Sequence, residues 1–200
     1  MKNLSREEAI LLGLLTVLGR EVLRTKLVKM TYLLDNLSFE HTGQPLTDFT
    51  YHSDHYGPNA VGNAITQTLS QLSQRGLVHD TQKLTPYENY SNYYKVSDLV
   101  KASEIPLSDE DWSFIHAIVH RYGPMRREQV VSESKRTLPM QNVRQYEILQ
   151  FKPNPTILAK RKLAEQEVEF IRSTEEAIDD DSERITFEQL REEVAQPSNV

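Results

Sequence analysis

The sequence predicts a mostly α-helical domain with a small antiparallel β element, followed by a charged helical tail. Three observations carry this reading. Several segments repeat apolar residues at three- and four-residue steps, as a helix with one buried face requires. Two β-prone runs, Leu77-Val78 and Tyr93-Tyr94-Lys95-Val96, flank a polar loop in the manner of paired antiparallel strands. The proline-punctuated stretch Phe151-Lys152-Pro153-Asn154-Pro155 marks a boundary, so the body is expected over residues 1–150 and the tail over 151–200.

The first helix is expected from Leu4 to Leu18, with Ser5 as N-cap, Glu8 in capping-box spacing and Gly19 ending it. Its apolar stretch is too short to span a bilayer. Glu7 and Glu8 before it, and Arg20-Glu21 after it, argue against a signal peptide. A second helix runs from about Arg24 to Glu40 with Thr25 as N-cap, burying Leu27, Met30, Leu33, Leu34 and Leu37. Gly43 and Pro45 break it, and Leu46 to His52 continues as a short strand or extended segment. A third helix is expected from Asn59 to Arg75, with Val61, Ala64, Ile65, Leu69 and Leu72 inward and Gly76 just past its end. After the strand pair, Ser108 caps a further helix whose first turn holds Asp109, Glu110 and Asp111 at the positive end of its dipole. Trp112, Ile115, Val119 and Tyr122 are its inner face, Gly123-Pro124 ends it, and a shorter helix covers Arg126 to Thr137. Three helices and then two strands is the order of a winged-helix domain.

Beyond the boundary, Thr156 to Ala177 reads as a weakly amphipathic helix, Asp179-Asp180-Asp181 interrupts it, and a second short amphipathic stretch carries Ile185, Phe187, Leu190 and Val194. These apolar residues are too few to fold alone, so the tail is expected to be partly mobile until it meets a partner. From Pro153 to Val200 there are 6 Lys and Arg against 12 Asp and Glu, while the other 17 basic and 17 acidic residues cancel. The tail therefore carries the whole net charge of −6. Such a tail is repelled by nucleic-acid phosphates and could serve as a solubilising extension, a nucleic-acid mimic or a strand that docks onto a basic partner.

Composition excludes several chemistries. With no cysteine there is no disulfide, thiolate metal site or thiol nucleophile, which fits a cytoplasmic setting. No phosphate-cradling glycine loop or nucleophile elbow occurs, and the carboxylates lie at helix starts and in the tail, so no enzyme and no cofactor is expected. His116 and His120, four apart on one helix, and His52 and His55, around Asp54, are the only combinations that invite a metal. Ala117 stands where a zinc-protease helix needs glutamate, and the histidines read as structural or surface groups. Lys26, Lys29, Arg126 and Arg127, with Tyr87, Tyr90, Tyr93 and Tyr94, could serve phosphates and bases. Against this, Asn59 to Gln74 holds no Lys or Arg, so nucleic acid is the weaker expectation and no membrane contact is foreseen. One lysine of the Lys26/Lys29 pair is expected to meet Asp35 or Asp54, or to lie in solvent.

The chain also echoes itself: His55-Tyr56-Gly57-Pro58 and Arg121-Tyr122-Gly123-Pro124 each precede a helical stretch. Taken with Thr25 to Leu34, which contains Lys26, Lys29 and Tyr32, and with Gly43-Gln44-Pro45-Leu46, the first of these turns resembles the Panacea domain, also called SocA-like, over about residues 5–150. A related group, the YwgA-like proteins, shares the helix and the Tyr-Gly-Pro pattern. Phe49 to Asp54 departs from the family's tryptophan-rich strand. The resemblance implies an antitoxin that binds a cognate protein toxin, or an adaptor that delivers a partner to a protease, with homo-oligomers also open. The motif positions it marks are Lys26, Lys29, Tyr32, Tyr56, Gly57 and Pro58. On this reading Ile185, Phe187, Leu190 and Val194 are the partner-binding candidates. A winged-helix DNA-binding regulator is the alternative.

Overall fold

The computed structural model describes residues 3–84, 90–141 and 143–152, with isolated positions from 155 to 166. The chain divides after Asn154. The first unit is built around α1 (Arg6–Leu18), whose Ala9, Ile10, Leu11, Leu12, Leu14 and Leu15 are all buried. A helix apolar on every side belongs in the centre of a core, and each such aliphatic side chain contributes roughly 1.5–3 kcal/mol on burial. Ser5 and Glu8 form the expected capping box, and Gly19 closes the helix in the left-handed conformation. At Gly13 an added Cβ would stand 2.8 Å from both Ile115 and Leu107, so its bare backbone lets the later helix α4 (Asp109–Tyr122) approach closely.

After α1 come β1 (Val22–Leu23) and α2 (Arg24–Thr42). Leu23, not Thr25, is the N-cap of α2, and no side chain caps it, because the chain enters the helix directly from the sheet. β2 (Tyr51–His52) and β3 (Asn59–Ala60) form a two-stranded ribbon, to which Ile148 adds a single bridge at His52. The expected helix from Asn59 begins later. Residues 59–60 are strand, Val61–Asn63 is one 3-10 turn, and α3 spans Ala64–Gln74. Gly62 and Asn63 both take positive φ there, which a regular helix cannot accommodate, and Val61 is consequently exposed. Ile65, Leu69 and Leu72 form the buried face as expected.

β4 (Val78–Leu84) and β5 (Tyr90–Val96) pair antiparallel from Val78 opposite Val96 to Leu84 opposite Tyr90. The expected strand pair is therefore present, while the tip with Tyr87 lies outside the described residues. β1 joins the other edge of β5, giving the order β1-β5-β4. α4, capped by Ser108 and Asp111, and α5 (Arg127–Lys135) complete the elements. In α4 the fully buried apolar positions are Ile115, Ile118 and Tyr122, with Trp112 and Val119 packed at the margin. The stretch around Leu149 lies along the β2 strand, with Leu149 N–H donating to the Tyr51 carbonyl at 2.8 Å. Phe151 stacks on Tyr32 and Phe39 beside it. No described helix is long and apolar enough to cross a membrane.

Candidate functional site

The helix α2 buries two lysines and an aspartate, Lys26, Lys29 and Asp35, in a largely apolar interior. A buried charge needs partners, and here each one finds them on a different loop. Lys26 and Lys29 lie three residues apart and therefore on one face. Lys29 donates from Nζ to the Pro58 carbonyl at 2.5 Å. Lys26 donates to the Gly123 carbonyl at 2.7 Å and to that of Met125 at 2.6 Å, where Arg20 adds a contact to the same Gly123 oxygen at 2.5 Å. The two lysines thus grip the two Gly-Pro turns that echo one another in the sequence. The expectation that one of them pairs with Asp35 or Asp54, or lies in solvent, is corrected: both are buried and donate to backbone carbonyls. Asp54 only attracts Lys29 at longer range, and Asp35 is occupied elsewhere.

The lysines need the turns because a proline-containing reversal leaves carbonyls without helix or strand partners, and an ammonium is a strong donor for them. Burial lowers the pKa of Lys26, with the Arg20 charge adding to it. Burial pushes Lys29 down to about 8, opposed by Asp54 and reinforced by Lys135. Gly57 sits at φ +87°, and a Cβ there would also press on Ser134 and Lys135 at 3.2–3.3 Å. Lys135 in turn donates to the His55 carbonyl at 2.8 Å, so the first turn is bound to α5 as well as to α2. Tyr32 holds the middle of α2: its hydroxyl meets Thr137 Oγ1 at 2.6 Å, and burial raises its pKa.

Sequence reasoning named Asp35 only as a possible partner for one of the lysines. Its carboxylate receives the Thr47 N–H at 2.9 Å, the Thr47 hydroxyl at 2.5 Å and the Tyr51 hydroxyl at 2.7 Å. Burial pushes its pKa up to about 7 despite these bonds. The signal was a lone carboxylate inside Leu33-Leu34-Asp35, with hydroxyl residues at Thr47 and Tyr51 in the following extended segment.

Of the motif positions, Tyr56 is the exception. Lys26, Lys29, Tyr32, Gly57 and Pro58 are all buried, whereas Tyr56 is 65% exposed. It stands at the edge of a cleft of about 840 Å³ between the first turns of α2 and α5. Lys29 lies in its floor with Val28, and Arg24, Asp54, Asn63, Arg127 and Glu128 contribute to its walls. Arg127 spends its charge on Glu128 at 2.6 Å. The cleft offers charges, amides, hydroxyls and an aromatic ring. Among the described residues no group of three or more His, Asp or Glu could hold a metal. His55 packs edge-on against Tyr56, His52 lies 6.2 Å from the Tyr146 ring, and His116 lies 6.2 Å from that of Trp112. Ile185, Phe187, Leu190 and Val194 lie outside the described residues.

The Lys29 clamp and the two Gly-Pro turns fall in the part of the chain that is recognisable by family, and Lys26 lies one residue before it. Residues 27–139 match the family described as antitoxin SocA-like, Panacea domain. The chain belongs to this family. The matched segment starts inside α2 and ends in the 3-10 turn Leu138–Met140, so it contains Lys29 and both Gly-Pro turns and leaves α1 outside. No curated protein and no solved structure matches the chain.

Proposed function

We propose that this Panacea-domain protein is a cytoplasmic antitoxin that neutralises a cognate protein toxin by binding it, without catalysis. The observation that carries the reading is membership of the SocA-like antitoxin family over residues 27–139. The way the motif residues are used agrees with a scaffold: its lysines and glycine hold turns in place. The body of residues 1–150 supplies that scaffold. The acidic tail supplies further contacts, with Ile185, Phe187, Leu190 and Val194 laid as an amphipathic stretch into a groove of the toxin.

A DNA-binding regulator is the second reading, supported by the order of α1, β1, α2, α3 and the β4–β5 hairpin. Its weakness is chemical, since α3 offers no lysine or arginine to a phosphate. Co-expression with the product of the adjacent gene separates the two. If the neighbour arrests growth alone and the full-length chain restores it in a soluble complex, the antitoxin reading stands. A neighbour that is harmless, with DNA bound tightly at low salt and released as salt rises, would replace it with the regulator. A chain stopped at Lys152 tests the tail, which is predicted to be needed for full rescue. Rescue accompanied by disappearance of the neighbour, rather than by a stable complex, would identify an adaptor to a protease.

A further inference from the structure

Residues 144–152 lie over β2 as a strap, and little holds them there. Three backbone bonds pair the strap with the ribbon. Tyr146 N–H donates to the Ser53 carbonyl at 2.7 Å, Ser53 N–H to that of Glu147 at 2.9 Å, and Leu149 N–H to that of Tyr51 at 2.8 Å. Leu149 is the one buried side chain of the strap, while Tyr146 and Ile148 are exposed. Tyr146 also sits at φ +66°, a left-handed backbone that a bulky residue adopts only under constraint. Sparse apolar burial and a strained turn mark a segment that opens before the rest of its domain. What it covers, however, is a packed aromatic face. Phe151 stacks on Tyr32 at 5.9 Å and on Phe39 at 5.6 Å, and meets Tyr51 edge-on at 6.1 Å.

Tyr51 connects the strap to Asp35. Its carbonyl accepts from Leu149, its ring meets Phe151, and its hydroxyl donates to the Asp35 carboxylate. Asp35 takes two further bonds from Thr47 and has no cationic partner among the described residues. Arg6 of α1 comes near, donating to the Leu46 carbonyl at 3.2 Å, but it is paired with Asp111 of α4 at 2.6 Å. The other titratable or charged groups around this region are Tyr32 and Glu40 on α2, and Glu7 of α1 beside Asp48. On the strap side they are His52, Arg144, Glu147 and Lys152. We propose that residues 144–152 form a releasable strap whose docking is coupled, through Tyr51, to the proton on Asp35. Opening brings water to Tyr51 and to the carboxylate it shields, which favours the charged form. The closed state therefore binds the proton more tightly. Burial places Asp35 at about 7 in that state, so pH rising through this value drives the strap open and falling pH closes it. Release bares the Tyr32, Phe39 and Tyr51 rings and frees the residues that lead to the acidic tail. The device does not depend on which partner the chain binds.

The test is amide exchange followed by NMR on the full-length chain, with protection of the Leu149 and Ser53 amides corrected for intrinsic exchange at each pH. Protection at both is expected to fall about fivefold or more between roughly pH 6 and pH 8, while the amides of β5 keep theirs. Asp35→Asn should abolish the fall. His52→Gln, which replaces the titratable ring beside the strap, should leave it in place. Should Asp35→Asn not fold, Phe151→Ala supplies a second reading in the same full-length chain. Loosening the strap is expected to lower the midpoint at which the Asp35 carboxyl carbon titrates by about half a unit or more. Protection that does not change with pH overturns the proposal. So does a fall that survives Asp35→Asn or vanishes in His52→Gln, and so does an Asp35 midpoint that Phe151→Ala leaves unmoved.

Discussion

The two Gly-Pro turns share three letters, Tyr-Gly-Pro, and a lysine clamp from α2, yet they solve opposite problems. Tyr122-Gly123-Pro124 joins α4 to α5 in the interior: Tyr122 is 6% exposed and the Gly123 carbonyl collects both Lys26 and Arg20. Tyr56-Gly57-Pro58 lies between β2 and β3 at the surface, and its tyrosine points away from the core. The glycines differ as well. Gly57 is needed for its positive φ, whereas Gly123 has an ordinary helical φ and is needed for room, because a Cβ would stand 2.4 Å from the Val119 carbonyl oxygen. A short motif therefore fixes where the chain turns and which carbonyl a lysine can reach. Whether its aromatic ring is core or contact depends on what packs over it.

If that contrast is right, the interior turn should be far less tolerant. Tyr122→Ala empties a buried ring site and is expected to cost about 3–5 kcal/mol of unfolding free energy, measured by denaturant titration. Gly123→Ala follows, at about 2–3 kcal/mol, since the neighbouring obstacle is backbone and cannot rotate away. Gly57→Ala should cost less, about 1–2 kcal/mol, for a strained left-handed backbone with side-chain neighbours able to yield. A larger loss at Gly57 than at Gly123 would reverse the assignment of keystone and rim.

The difference between the turns was invisible in the sequence, and the reason is specific. The helices, their caps at Ser5 and Ser108, the breaks at Gly19 and Gly43 and the β4–β5 pair were all legible, because each depends on residues within a few positions. The start of α3 was misplaced since Asn63 adopts a positive φ that its residue type permits but does not announce. Lys26 and Lys29 were noticed but given the wrong partners. Their real acceptors are backbone carbonyls up to 99 residues away, and a carbonyl has no letter. The cleft combines residues from α2, α5 and the loop at Asp54, so only the packing of those elements brings it together.

The clamps themselves give the next test. Replacing either lysine by methionine keeps most of the buried stem and removes the donor, leaving a carbonyl unsatisfied. A loss of about 1–3 kcal/mol is expected for each, of similar size, because Arg20 still donates to the Gly123 carbonyl and each change leaves one carbonyl, of Met125 or of Pro58, without its donor. The pH dependence separates them. Burial holds Lys29 at about 8 in the native state, while an unfolded lysine titrates near roughly 10.4. Between these values the unfolded chain binds more protons, so this group makes stability rise with pH through that window and fall away as pH drops through 8. Lys29→Met should remove that rise. An unchanged slope between pH 8 and 10 in the variant would mean that Lys29 is not desolvated by its turn.

The smallest expected effect on stability is the most informative about the outer turn. Tyr56→Ala removes a ring that makes an edge contact to His55 and otherwise meets solvent, so unfolding should change by no more than about 0.5 kcal/mol. A cost comparable to that of Tyr122→Ala would show that the ring is part of the packing, and the two turns would then be equivalent supports. A near-zero cost would separate the letters of the motif by physical role. Gly57 and Pro58 shape the turn for Lys29 to hold, and the Tyr56 ring beside them stays turned to solvent.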